Sequence, residues 1–216
     1  DYWWVRGFDF PRIQISFLIS VNIILAALFY DYTMWWQYLA TACLILSLLY
    51  QVYLIIPYTP LWKKQVIKYG GSDNQKTISI LVSNVLTPNK EYDKLIDLIK
   101  EKDPDVFLTL ESDKNWEKAL SPLEETYTHS VKQPLDNLYG MHLYSKYLLE
   151  DMEVRYLIKD DIPSIHGYIR LPFGERVKIH CLHPKPPSPS ESKLSTNRDA
   201  EILLVGREIE EDPKLL

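Results

Sequence analysis

A chain of 216 residues with a formal net charge of −5 has room for one ordinary domain and something smaller, and lacks the basic surface with which proteins that coat DNA or RNA neutralise phosphates. A site that handles one phosphate ester is still allowed. Its 14 prolines against 7 glycines indicate stiff connections, and its 2 cysteines, Cys43 and Cys181, have neither a metal-ligand spacing nor a partner, so they leave the redox compartment open.

The N-terminal part is almost entirely apolar or aromatic. Ile13–Tyr30 and Thr33–Ile56 are uncharged runs, each near the roughly 20 residues that cross a bilayer, with a very short connection between them. Trp3, Trp4, Phe8 and Phe10 precede the first run, Tyr30, Tyr32, Trp35 and Trp36 crowd the turn, and Tyr58 and Trp62 come after the second. Such a distribution reads as the interfacial belt of a transmembrane helical hairpin. Buried core helices would show amphipathic periodicity, and a cleavable signal peptide would have a shorter apolar core. Arg6 and Arg12 before the hairpin and Lys63, Lys64 and Lys68 after it bias both ends towards the cytoplasm, and an upstream span would put the soluble part on the opposite side. The prolines of "PYTPLW" end the second helix, and "KYGGSDNQK" reads as a polar linker.

After the linker the pattern is that of an α/β domain. "KTISILVSNVL" alternates as a strand, "EYDKLIDLIKEKD" places Tyr92, Leu95, Ile96 and Ile99 on one helical face before Pro104, and "DVFLTLES" is a nearly continuous apolar strand covered on both faces. This predicts a β–α–β start with a parallel pair. "YTHSVKQ", "YGMHLYSK", "EVRYLIK", "HGYIRLP" and "RVKIHCLH" come next as closely spaced strands, with "PFGER" as the clearest hairpin turn. "TNRDAEILLVGREIEED" reads as a helix with Ala200, Leu203, Leu204 and Ile209 on its packing side, and the sheets are expected to stack face to face.

Asn84, Glu111 and His183 each stand at the end of an apolar strand, where open α/β sheets place their sites. Each has a plainer reading: Asn84 as a turn former, Glu111 as a cap or flank of the next helix, His183 as a satisfied loop histidine. His180, earlier in the last strand, is expected to share the face of His183 but lie deeper as a packing residue, and the prolines after His183 to hold the loop open beside it.

Taken in order, "ISILVSNVL", "DPDVFLTLES", "YGMHLYSK", "VKIHCLHPKPP" and "NRDAEILLVGREI" resemble the first five blocks of the endonuclease/exonuclease/phosphatase superfamily, the deoxyribonuclease I-like fold. The likeness is nearest to membrane-anchored bacterial members of the YafD-like kind, which also carry "WWVRGFDFPR" and "PYTPL"-type segments. The resemblance implies a partial four-layer α/β-sandwich after the hairpin. Residues 1–62 would then be a membrane region with helices at 13–31 and 33–57, residues 63–76 a linker, and residues 77–216 the N-terminal part of the catalytic domain. It implies that Glu111 binds the divalent cation, Mg²⁺ or Mn²⁺, that Asn84 helps arrange metal and scissile phosphate, and that His183 contacts the phosphate or assists proton transfer. Asn137 and Tyr139 are expected to line the substrate groove, and Arg198 to serve structure first and phosphate contact second.

The family's later blocks, an Asp-x-Asn and a terminal Asp-His, do not occur before "EEDPKLL", so the expectation is a fragment with little activity alone. The function implied is that of a membrane-anchored, metal-dependent phosphoester hydrolase in the bacterial inner membrane. The alternative is a membrane-tethered binding module that holds phosphate ligands without cleaving them. Anchorage and net acidity favour lipid-derived or small phosphoesters, nuclease-like relatives keep nucleic acid open, and no obligate protein partner is inferred. A transporter subunit fits poorly, because the spans carry no ionisable residue.

Overall fold

The computed structural model describes residues 2–64, 77–186, 188 and 194–210. The expected linker therefore lies outside the described residues from position 65 on, as does most of the Pro/Ser loop after Pro186. The chain divides into two compact units, Asp1–Gly70 with Pro187–Leu194, and Gly71–Pro186 with Ser195–Leu216.

In the first unit a short helix, α1 (Trp3–Arg6), precedes two long ones, α2 (Arg12–Phe29) and α3 (Trp35–Ile55), which pack on each other. Both are long and apolar enough to cross a membrane, and almost nothing of either is buried by the rest of the protein. Their polar side chains are satisfied within the helix: Ser16 and Ser20 donate to the carbonyls four residues back at 2.8 Å, and Thr41 does so at 2.9 Å. The turn is longer than the sequence suggests, because Asp31 accepts from the Thr33 amide and hydroxyl and Gln37 Oε1 accepts from the Met34 amide, organising residues 31–34. Tyr30 stacks edge-on against Tyr32 and Trp36 there, at 6.0 and 5.5 Å between ring centres. At the other ends of the helices Arg12 donates to Gln51 Oε1 at 3.3 Å.

The second unit contains β1 (Ile80–Asn84), α4 (Tyr92–Lys102), β2 (Val106–Leu110), α5 (Lys114–Leu120), β3 (His129–Gln133), β4 (Met141–Ser145), β5 (Leu149–Arg155), β6 (Ser164–Arg170), β7 (Arg176–Cys181) and α6 (Thr196–Glu210). One sheet has the order β1-β2-β4-β3, with β1 and β2 parallel and the other pairs antiparallel; the second is the antiparallel meander β5-β6-β7. Asp105 sets the start of the parallel pair, accepting from the Ser79 amide and hydroxyl, both at 2.7 Å.

Alternation along the strands divides the side chains between two cores. Phe107 and Tyr144 turn to the helices, where they stack at 4.6 Å and join Leu95, Ile99, Trp116 and Leu120. Val106, Leu108, Met141 and Leu143 face the other way and meet Ile165, Ile169 and Cys181 of the second sheet. The result is helices on the first sheet, sheet on sheet, and α6 beyond the second sheet, tied to it by Arg155, whose Nη1 donates to both Glu208 oxygens at 3.1 and 3.0 Å. Burial pushes the Cys181 thiol up to about 12, so it packs as an inert apolar group.

Three elements differ from expectation. β5 begins at Leu149 rather than Glu153, because a bulge with Asp151 at φ 50° resets the alternation so that Leu149, Met152 and Val154 all reach the core. Gly167 lies opposite this bulge; a Cβ there would stand 2.3 Å from Met152 Sδ and 3.0 Å from the Glu150 carbonyl. α6 turns Glu201 and Val205 inward and leaves Leu203, Leu204 and Ile209 exposed, since the outer face of the second sheet that it covers is polar. α4 ends at Lys102, two residues before Pro104, with Asp103 in the left-handed conformation as its cap.

Candidate active site

Asn84, Glu111 and His183 come from three different strand ends of the second unit, and the sheet packing brings their side chains together. Asn84 is the last residue of β1, and its Oδ1 accepts from the Leu86 amide at 3.2 Å, which orients the side-chain amide so that Nδ2 donates to Glu111 Oε1 at 2.6 Å. Asn84 thus forms the turn and holds the Glu111 carboxylate at once. Glu111 comes directly after β2 with φ 59°, a region in which a bulky side chain is strained, and Thr87 Oγ1 clamps its carbonyl at 2.8 Å. It does not cap α5; Asp113 does, accepting from the Asn115 and Trp116 amides at 3.0 and 2.9 Å. His183, two residues beyond β7, places Nε2 3.5 Å from the same Glu111 Oε1.

Tyr139 forms the wall behind His183, with ring centres 5.5 Å apart, and Lys185 stands over the other part of that rim with Nζ 5.9 Å from the Tyr139 ring centre. Gly140 lets the wall approach: a Cβ there would lie 2.1 Å from the Ser112 carbonyl oxygen, and the Ser112 amide donates to the Gly140 carbonyl at 3.0 Å. A shallow pocket of about 210 Å³ lined by Asn84, Asn89, Lys94 and Trp116 opens next to Asn84.

The remaining expected residues are placed otherwise. Asn137 uses its side chain to shape the loop, donating to the Asp161 carbonyl at 2.8 Å and accepting from the Tyr139 amide at 3.0 Å. Arg198 donates to its neighbour Asp199 at 3.1 and 2.8 Å and, among the described residues, makes no hydrogen bond to Asn84, Glu111 or His183. His180 turns to His166 on the next strand instead of sharing a face with His183. The strand-end logic missed Thr87 and Lys185; a hydroxyl and a cation flanking the turns after Asn84 and His183 were the signals available.

A divalent cation fits the residues present. Glu111 is mostly shielded, its Oε1 takes both the Asn84 and His183 contacts, and its Oε2 accepts no hydrogen bond among the described residues, which leaves one hard oxygen for a cation of the Mg²⁺ class.

The sequence profile of the Endonuclease/Exonuclease/phosphatase family matches residues 81–214, from within β1 to past α6. The chain belongs to this family. Its fold is the family's phosphoester hydrolase fold, present here in part, and family members commonly use a divalent metal. Among solved structures it is similar to D. rerio TDP2 complexed with a single-strand DNA product, with a TM-score of 0.54 and 14% identity over 63% of this chain and 56% of that one. A humanized D. rerio TDP2 carrying 14 mutations gives 0.53 and 15% over 63% and 57%, and truncated Caenorhabditis elegans TDP2 gives 0.50 and 14% over the same shares. At these identities the likeness is one of fold, and the chain spans just over half the length of these structures. No relative is found among curated proteins.

Proposed function

We propose that this chain is the membrane-anchored, metal-binding half of a phosphoester hydrolase of the YafD-like kind. The observation that carries the reading is the convergence of Asn84 and His183 on one oxygen of Glu111 in a family whose fold hydrolyses phosphoesters. Glu111 would hold Mg²⁺ or Mn²⁺ through Oε2. A cation bound there polarises the phosphoryl group as a Lewis acid. The Asn84 amide fixes the carboxylate and screens Oε1. The His183 imidazole, braced by Tyr139, is in reach to donate a hydrogen bond or a proton to a phosphate oxygen as charge develops on it. Lys185 adds positive charge at the rim.

An incomplete catalytic shell is supported by the open side of the sandwich. Ile80 and Val82 of the edge strand β1 are 51% and 58% exposed over an apolar cleft of about 310 Å³ that they share with Ile179 and Leu182. Further strands laid on β1 and β7 would cover it. Anchoring rests on the uncharged α2 and α3 with their aromatic ends, and a cytoplasmic face of the bacterial inner membrane on the flanking Arg and Lys residues. The D. rerio TDP2 complex with single-strand DNA product makes DNA a substrate class to test beside the lipid-derived and small phosphoesters that an acidic, anchored chain suggests.

The test is a Mg²⁺-dependent hydrolysis panel of single-stranded DNA, a phospholipid and bis(p-nitrophenyl) phosphate, run on the natural gene product and on the 216-residue chain. The gene product is expected to cleave at least one substrate and to lose that activity in Glu111→Ala, with the 216-residue chain at background. A gene product that binds these esters but cleaves none would establish the binding module instead. Turnover by the 216-residue chain that disappears in Glu111→Ala would refute its incompleteness.

A further inference from the structure

On the outer face of the second sheet, under α6, two imidazoles and a carboxylate converge away from Glu111. His166 of β6 and His180 of β7 are cross-strand partners, and their Nδ1 atoms stand 2.6 Å apart. The ligand atoms that His166, His180 and Glu208 can offer lie within 4.8 Å of one another.

The hydrogen bonds of Ser164 favour one tautomer of His166. The buried Ser164 hydroxyl has one proton, which it donates to the Arg155 carbonyl at 3.1 Å, so at 2.7 Å it accepts from His166 Nε2–H. His166 Nδ1 is therefore bare and aimed at His180 Nδ1. Without a cation, a proton on His180 Nδ1 must fill that gap, which leaves His180 Nε2 bare and buried, with no hydrogen-bond partner among the described residues. A metal ion between the two Nδ1 atoms takes the place of that proton, which moves to His180 Nε2, and binds the two Nδ1 lone pairs that face each other.

We infer that His166, His180 and Glu208 form a zinc-class transition-metal site that fastens α6 to the second sheet, separate from the hard-cation site at Glu111. Two imidazoles and one carboxylate with a fourth position for water suit Zn²⁺. An ion at Zn–N distances of about 2.0–2.1 Å requires the nitrogens to open from 2.6 Å to about 3.3 Å and the Glu208 oxygen, which lies within 4.8 Å of them, to close to a similar spacing. The outer shell is already built: Ser164 orients His166, and Arg155 holds the Glu208 carboxylate. Glu208 is partly exposed, which gives the ion a way in.

Titrating the metal-free 216-residue chain in detergent with Zn²⁺ against a chromophoric chelator tests this, with Co²⁺ absorption as the second readout. Expected are one Zn²⁺ per chain and an intense tetrahedral Co²⁺ band. Affinity should fall by about tenfold in Ser164→Ala, which keeps all three ligands, and at least as far in His180→Gln, but stay unchanged in Glu111→Gln. Absence of tight Zn²⁺ binding by the unmodified chain, or binding that Ser164→Ala and His180→Gln leave intact, would overturn it.

Discussion

Glu111 sits at φ 59°, where a residue with a Cβ is disfavoured by about 1–2 kcal/mol, and the Thr87 clamp on its carbonyl keeps it there. Under the proposed metal role, the strain at Glu111 serves chemistry rather than stability. Glu111→Gly should accordingly hold or raise the stability of the second unit, by up to about 1 kcal/mol in urea unfolding, while divalent-metal binding is lost. A clear loss of stability would mean that the carboxylate is structural. The three strand-end residues were legible because apolar runs stop visibly at Asn84, Glu111 and His183. Thr87 and Lys185 were not, since neither breaks a pattern and their relevance depends on where the turns fold back. The loop-shaping hydrogen bonds of Asn137 were not legible either, because a turn-forming asparagine has the same sequence signature as a groove residue.

Within β4, His142 lies on the helix-facing side of the strand, fully buried, with neither ring nitrogen hydrogen-bonded among the described residues. Burial, helped by the charge of Lys132 and opposed by Asp113, holds it down to about 4 from an ordinary 6.5. Its folded value lies below its unfolded one, so the unfolded chain takes up a proton first. Native stability is thus fully present above pH 6.5 and falls as the pH drops towards 4, by on the order of 3 kcal/mol from this residue. Urea unfolding between pH 7.5 and 4.5 should show a shallower acid loss in His142→Leu than in the parent; equal slopes would place the acid sensitivity elsewhere. The elements themselves were largely readable, as the β1–α4–β2 start and the Phe173-Gly174 hairpin arise from period and turn chemistry. The bulge at Asp151 was not, because one inserted residue silently shifts the alternation. The face of α6 was misassigned because its partner surface, with His166, His180 and Arg155, is polar, so Glu201 is buried at 4% exposure while Leu203 stands 62% exposed. Helix amphipathicity predicts packing only against an apolar partner.

At the scale of the whole molecule, two physically different units share one chain. Composition shifts visibly between the apolar N-terminal part and the rest of the chain, whereas the return of Pro187–Leu194 to the first unit and the open edge at β1 and β7 emerge only from the structure. If α2 and α3 span a bilayer, the expressed chain should stay with the membrane fraction through alkaline carbonate washing; release into the supernatant would make them peripheral. The proposed chemistry turns on Glu111 as the ligand of a hard divalent cation. Mn²⁺ titration of the purified 216-residue chain, monitored by electron paramagnetic resonance with the His166–His180 site saturated by Zn²⁺, measures this directly. One Mn²⁺ site per chain, weakened at least about tenfold by Glu111→Gln and displaced by Mg²⁺, is the predicted result. Mn²⁺ binding that is absent, or that Glu111→Gln leaves unchanged, would contradict it.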